Sequence, residues 1–142
     1  MRLLLDTNVL SEVIKPRPDA HVLQWLDSLD EDRSFISVVS IAEIRRGVAL
    51  MESGRKRDAL AEWLARDLPQ RFEQRVIPVD QPIAIAWGDV MGLAKRSGRG
   101  VSSMDGLIAA TAIAHDLTLA TRNRKDFEAF GIELVDPWIE RP

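Results

Sequence analysis

Four acidic side chains, Asp6, Glu43, Asp105 and Asp126, occupy positions from which they can be gathered into one reactive centre. Asp6 directly follows the apolar run Leu3-Leu4-Leu5. Glu43 lies one helical turn beyond a second apolar run, and Asp126 stands a few residues after a third, Leu117 to Thr121. Asp105 falls near the start of a helical segment. Carboxylates forced together repel, and their pKa values rise unless a cation balances them. Their hard oxygens suit Mg²⁺ or Mn²⁺, which retain waters and bind phosphate oxygens. Such ions activate water for in-line attack on a phosphodiester and stabilise the leaving oxygen. A magnesium-dependent phosphoryl-transfer site is therefore the chemistry these residues would perform together.

Taken singly, each acid also has a structural use. Asp6 can cap the next helix or make an Asx-turn. Glu43 can close a capping box with Ser40 in Ser40-Ile41-Ala42-Glu43. Asp105 gains from the dipole of the helix it opens, and Asp126 can be a solvated loop acid or the cap of the segment at Phe127. Only joint placement favours the metal-site reading.

That placement is the work of the surrounding elements. Continuous or β-branched apolar runs predict strands at 3–5, 35–39, 76–79, 117–121 and 132–135. Helical spacing predicts helices at 9–14, over Val22 to Leu29, from Ser40 to Gly47 or beyond, and at 57–68 with Pro69 at its end. Two further helices are predicted at 82–95 and 103–115. Pro78 marks the 76–79 strand as an edge or a strand end. Strands alternating with helices imply a parallel sheet covered on both faces, an α/β sandwich with right-handed crossovers. Ligands then bind beyond the carboxyl ends of the strands, where Asp6, Glu43 and Asp126 map and where Asp105 joins them if its helix starts at that edge.

The 142 residues, 46% hydrophobic and 29% charged, are expected to form a single domain spanning 1–142. The absence of Cys excludes disulfides, thiolate metal sites and a cysteine nucleophile, and two distant His, His21 and His115, argue against a histidine metal site. With 19 Lys and Arg against 22 Asp and Glu, the net charge is −3, so any nucleic-acid contact must come from local basic patches rather than total charge. Arg45, Arg46, Arg122, Arg124 and Lys125 flank the acids in sequence and are placed to hold phosphates. Trp25, Trp63, Trp87 and Trp138 read as core or dimer surface. Without a long apolar segment or a leader, the chain is expected to be soluble and cytoplasmic, with no membrane contact.

Four segments carry a resemblance: Leu3-Leu-Leu-Asp6-Thr7-Asn8-Val9-Leu10-Ser11-Glu12, Ser37-Val-Val-Ser40-Ile-Ala-Glu43-Ile-Arg-Arg-Gly47, Ser103-Met-Asp105-Gly-Leu-Ile-Ala-Ala110-Thr111-Ala, and Leu119-Ala-Thr121-Arg122-Asn123-Arg-Lys-Asp126-Phe127. In this order they resemble PIN-domain ribonucleases, and above all the VapC/FitB-like toxins of bacterial toxin–antitoxin pairs. The resemblance covers nearly the whole chain. It implies a three-layer α/β sandwich with a five-stranded parallel sheet in the order 3-2-1-4-5, a homodimer, RNA cleavage with Mg²⁺ or Mn²⁺, and inhibition by a cognate antitoxin that covers the active-site groove. Operator DNA would be contacted only through the antitoxin.

Carried over by motif, Asp6 and Asp105 match the principal metal ligands and Glu43 the third acid. Asp126 matches a further catalytic acid. Asn123 stands where many relatives carry Asp, and its carbonyl oxygen can ligate without adding charge. Thr121 matches the hydroxyl that accompanies the site, and together with Arg122, Asn123 and Arg45 it is assigned to substrate binding.

Two other classes fit parts of the pattern. Leu3-Leu4-Leu5-Asp6 is similar to the nucleophile strand of haloacid-dehalogenase-type phosphatases, which carry a second Asp where this chain has Asn8. Trapping an acyl-phosphate on Asp6 would identify that class. A non-catalytic α/β partner-binding module, or a receiver-like switch, would use the acids as caps only and would not bind Mn²⁺ at millimolar concentration.

Overall fold

Leu3, Leu4 and Leu5 form β1 (Leu3–Leu5), and all three are buried because the strand runs through the middle of the sheet with helices on both faces. The period-two geometry of a strand sends Leu3 and Leu5 to one side and Leu4 to the other. In this computed structural model, which describes residues 1–139, those two sides are two separate apolar clusters. The first packs Leu3 and Leu5 against Val9, Leu10, Trp25, Ile44, Val48, Leu64, Leu68 and Phe72. The second packs Leu4 against Val39, Ile83, Val90, Ile108, Ala109, Ala112 and Phe127.

The strands β1, β2 (Ser34–Ser37), β3 (Val76–Ile77), β4 (Thr118–Ala120) and β5 (Leu134–Val135) pair in parallel in the order β3-β2-β1-β4-β5. Helices α1 (Thr7–Val13), α2 (Ala20–Asp27), α3 (Val38–Ala49), α4 (Arg55–Glu62) and α5 (Leu68–Phe72) bring residues to the first cluster; α6 (Gln81–Arg96) and α7 (Ser103–His115) bring residues to the second. The expected three-layer α/β sandwich and its strand order are thus present. The last three residues of the domain expected over 1–142, residues 140–142, lie outside the described part of the chain.

Several boundaries differ from the sequence expectation. The second strand stops at Ser37 rather than Val39, because the Ser37 hydroxyl accepts from the Val39 N–H and caps α3 there. Val38 and Val39 are therefore helical despite their β-branched side chains. Ser40 lies inside α3 and is buried, so the expected capping box with Glu43 does not form. Pro69 does not end the fourth helical segment. The turn ahead of it, Trp63–Asp67, widens to π spacing, with the Leu68 N–H bonding the Trp63 carbonyl, and α5 continues with Pro69 in its first turn. A regular helix would drive the proline ring into the carbonyl four residues back, and the wider turn avoids that clash. The strand expected at 76–79 shortens to Val76–Ile77 ahead of Pro78, on the sheet edge where a proline is tolerated.

Candidate active site

Asp6 leaves the central strand at its carboxyl end and is the N-cap of α1. Its backbone N–H still donates to the Ala120 carbonyl at 2.9 Å, so the carboxyl group is anchored between β1 and β4. Oδ1 accepts the Thr7 N–H at 2.8 Å. Oδ2 accepts the Thr121 hydroxyl at 2.8 Å and the Asn8 amide at 3.4 Å. Thr121 is itself fixed: its N–H bonds the Val135 carbonyl at 2.9 Å, and its Oγ1 accepts the Asn123 N–H at 3.0 Å. The Asn8 amide oxygen, in turn, accepts the Arg122 N–H at 3.3 Å. Asn8 therefore bridges the ends of β1 and β4.

Glu43 comes from the next strand–helix unit. The Thr7 hydroxyl donates to Glu43 Oε1 at 2.7 Å and shares a second hydrogen bond, 2.9 Å, with Ser40 Oγ. Ser40 and Glu43 lie one turn apart on α3, so one helix face meets the N-terminus of α1 through this hydroxyl chain. Thr7 has no role assigned from sequence, and Ser40 is expected there only as the capping partner of Glu43. The detectable signal was their spacing: Ser40 three residues before one acid and Thr7 directly after another.

Asp105 enters from the far side of the sheet. It sits in the first turn of α7, its N–H donating to the capping Ser102 hydroxyl at 3.1 Å. That turn is held by α6. The Trp87 indole N–H donates to the Ser103 carbonyl at 3.1 Å, and a Cβ on Gly106 would come within 2.6 Å of Met91 Sδ and 3.1 Å of Trp87 Nε1. Glycine after Asp105 is thus what lets α6 and α7 approach. Asp126 closes the loop beyond β4, in the exposed 3-10 turn Arg124–Asp126.

The electrostatics tie these positions together. Burial pushes the Asp6 carboxyl up to about 6, against the lowering influence of the Thr121 and Thr7 hydrogen bonds, and the charges of Asp105 and Glu43 add to the rise. Asp105 is also raised, first by burial, then by Glu43 and finally by Asp126, while Ser102 pulls the other way. Asp6, Glu43 and Asp105 thus feel one another, and Asp126 acts on Asp105 from the outer rim. No member of this set is ion-paired among the described residues. Nor do any three acidic or imidazole side chains among them close into a ready-made ion cage. A spaced rim of carboxylate oxygens fits a hard cation that keeps part of its water shell, as Mg²⁺ does.

Of the remaining sequence-assigned residues, Thr121 is buried against Asp6, whereas Asn123 and Arg122 are exposed on the loop beside it. Arg45 is exposed on α3 two residues past Glu43, which turns it roughly 200° around the helix from that acid. Arg46 is the basic residue one turn from Glu43. The four tryptophans divide: Trp25 is core, while Trp63, Trp87 and Trp138 are half-buried. Among the described residues, no helix is long and apolar enough to cross a membrane.

Known proteins match this chain along nearly its full length. "Toxin FitB" of Neisseria gonorrhoeae is 40% identical over 136 residues, 96% of this chain and 98% of that protein. "VapC ribonuclease Y4jK" of Sinorhizobium fredii is 38% identical over 136 residues, 96% and 97% of the two chains. The crystal structure of FitAcB from Neisseria gonorrhoeae superposes with a TM-score of 0.91 at 40% identity, covering 97% of this chain and 99% of that one. Residues 3–133 match the PIN domain family, and with the fold and the strand order in agreement, the chain belongs to that family.

Proposed function

We propose that this protein is a metal-dependent endoribonuclease, the toxin of a toxin–antitoxin module, acting as a single domain. The observation that carries the reading is Asp6: a buried carboxylate whose charged neighbours are other acids and which, among the described residues, pairs with no cation. Its relatives named as a toxin and as a ribonuclease supply the reaction class.

In this reading Asp6, Asp105 and Glu43 hold Mg²⁺ or Mn²⁺, and Asp126 or the Asn123 carbonyl oxygen completes the set. When bound, the ion supplies the positive charge that activates a water for in-line attack on phosphorus and offsets charge on the leaving oxygen. The chain's own residues orient the parts. Thr121 and the Thr7 N–H fix the plane of the Asp6 carboxylate, and the Thr7 hydroxyl aims Glu43. Trp87 steadies the turn that carries Asp105. Arg122 and Asn123, with Arg46 on the face of Glu43, hold the RNA backbone, while Arg45 lies on the other side of α3 from that acid. A bond forms from water oxygen to phosphorus and the bond to the 3′ oxygen breaks, leaving a 5′-phosphate and a 3′-hydroxyl. The further parts of the reading are a homodimer, a cognate antitoxin that covers the groove, contact with operator DNA only through that antitoxin, and a cytoplasmic location.

The test is cleavage of RNA by the purified protein with Mg²⁺ or Mn²⁺, with excess chelator, and by Asp105→Asn. Cleavage is expected with either ion, to vanish with chelator and to fall at least about a hundredfold in the variant, since even outer-shell partners of a metal contribute up to that much. Equal cleavage in all arms overturns the proposal.

A further inference from the structure

We infer that Trp138 is a positioning residue that holds the Arg122 guanidinium as a clamp for an RNA phosphodiester beside the acidic rim. This inference rests on the ribonuclease reading and adds to it a specific contact on the substrate backbone.

The Arg122 guanidinium carbon lies over the Trp138 ring, 5.0 Å from its centroid. Trp138 is well placed to serve as a fixed support. Its ring packs from the half-buried side onto the first apolar cluster, and the Trp138 backbone N–H donates to the Asp136 carboxylate at 2.9 Å. Asp136 is itself buried, just past the end of β5. At its other end, Arg122 follows Thr121, the residue whose hydroxyl bonds Asp6, and the Arg122 N–H is held by Asn8. Backbone and side chain are thus both pinned, one residue from a partner of the buried acid.

Two other arginines lie over aromatic rings, and the contrast separates structure from binding. Arg2, over Phe35, donates to the His115 carbonyl at 3.3 Å. Arg75, over Phe72, donates to the carbonyls of Ser34 at 2.7 Å and Arg71 at 2.8 Å, and to that of Glu31. Their N–H groups serve the chain itself. Among the described residues, the Arg122 guanidinium makes no ion pair and donates no hydrogen bond. A ring on its face leaves its N–H fork available, the geometry that takes a phosphate in two parallel hydrogen bonds. The need for such a group is local. The carboxylates that would hold a metal repel the flanking phosphates of a single strand, and a cation fixed next to them offsets that repulsion. Because the ring has already ordered the guanidinium, less side-chain freedom is lost on binding.

The experiment measures anisotropy of a fluorescein-labelled, mixed-sequence single-stranded RNA with the full chain, in chelator so that nothing is cut, alongside kcat and KM for cleavage with Mn²⁺. Trp138→Ala is expected to raise Kd and KM together about three- to fivefold, the size of an exposed cation–π contact, with kcat nearly unchanged. Trp138→Phe is expected to restore most of the affinity, and Trp138→Leu, which keeps apolar packing, to behave like Ala. Arg122→Ala should weaken binding at least as much and flatten the dependence of log K on log salt by about 0.7, one backbone phosphate fewer. In the Arg122→Ala chain, Trp138→Ala should change nothing further. Additive losses, unchanged binding in Trp138→Leu, or a fall in kcat at constant KM overturns the clamp. A wild-type protein that cuts no RNA with either ion refutes the ribonuclease reading instead, and the anisotropy arm separates that failure from this one.

Discussion

Two carboxylates on one short helix, Asp6 at the cap of α1 and Glu12 near its end, are each 4% exposed, yet their surroundings drive them in opposite directions. Glu12 Oε1 lies 2.7 Å from Lys15 Nζ, and Oε2 accepts the Asp19 N–H at 2.8 Å. These contacts hold its carboxyl below the ordinary range, the Lys15 hydrogen bond first and the Asp19 N–H second, against the pull of burial. Glu12 thereby ties the 14–18 turn back to α1 and sets Asp19, which caps α2 through the His21 and Val22 N–H groups. Among the described residues Asp6 has hydrogen bonds but no cation, and its charged neighbours are acids. Low solvent exposure alone therefore does not decide whether an acid is structural. What decides is whether the chain supplies the balancing charge.

The strongest way to break this contrast is to neutralise each acid in turn. Asp6→Asn is expected to lower RNA cleavage with Mn²⁺ at least about a hundredfold. Glu12→Gln should leave kcat within about threefold while lowering the unfolding midpoint slightly, because it weakens a charge-assisted contact to a half-exposed lysine, worth up to about 1 kcal/mol. Comparable activity losses in the two variants would erase the distinction.

The pH dependence of stability sharpens the same contrast through its sign. Asp6 is raised from 3.8 to about 6 in the fold, so the folded state binds its proton more tightly than the unfolded chain does. Its contribution is intact below pH 4 and is lost as pH rises toward 6, a change of about 3 kcal/mol. In chelator, Asp6→Asn should thus gain stability relative to wild type by about that amount between pH 4 and 7, in urea unfolding. Millimolar Mg²⁺ or Mn²⁺ should recover the difference for wild type only. Glu12, lowered in the fold, acts oppositely: its contribution is present above the ordinary Glu range and disappears as pH falls through the folded value. Glu12→Gln should therefore destabilise more at pH 7 than at low pH. Parallel pH curves for the two variants would show that the neighbours do not matter.

A step smaller is the hydroxyl chain. Thr7→Val keeps the shape of the residue but removes the donor to Glu43 Oε1. Cleavage should fall about tenfold, as for other partners that orient a ligand, with little change in RNA affinity. An unchanged kcat would remove Thr7 from the mechanism.

How much of this was legible in sequence depends on how local the cause is. The layers came from periodicity: Leu3-Leu4-Leu5 is uniformly apolar because both faces of β1 are covered, and the 103–115 helix has the bounds its pattern predicts. The strand order came with the resemblance of the four acid-bearing segments, since alternation alone permits several parallel orders. Ser37 was misplaced because Val38 and Val39 favour strands, while a single hydroxyl on the Val39 N–H decides for helix. Ser40 read as a cap through its spacing to Glu43, whereas its true partner, Thr7, lies thirty-three residues away. Trp138 read as core or dimer surface because its dual role, packed on one cluster and supporting Arg122, depends on where β4 and β5 end side by side. Pairings across the sheet edge have no sequence period, so they stay hidden until the fold is known.

Asp126 is the member of the acidic rim for which the smallest change is expected, and it tests where the rim ends. It is exposed, and it acts on Asp105 by raising that carboxyl alongside Glu43. An exposed charge interacting through solvent is worth up to about 1 kcal/mol, so Asp126→Asn should lower cleavage by no more than about fivefold. The same substitution removes one of the influences that raise Asp105, so the acid limb of the kcat/KM profile should move to lower pH. The two readouts oppose each other on that acid limb, where easier ionisation of Asp105 compensates for the lost charge. A hundredfold loss at every pH, with no shift of the acid limb, would instead make Asp126 a direct ligand and extend the metal-holding set to the loop beyond β4.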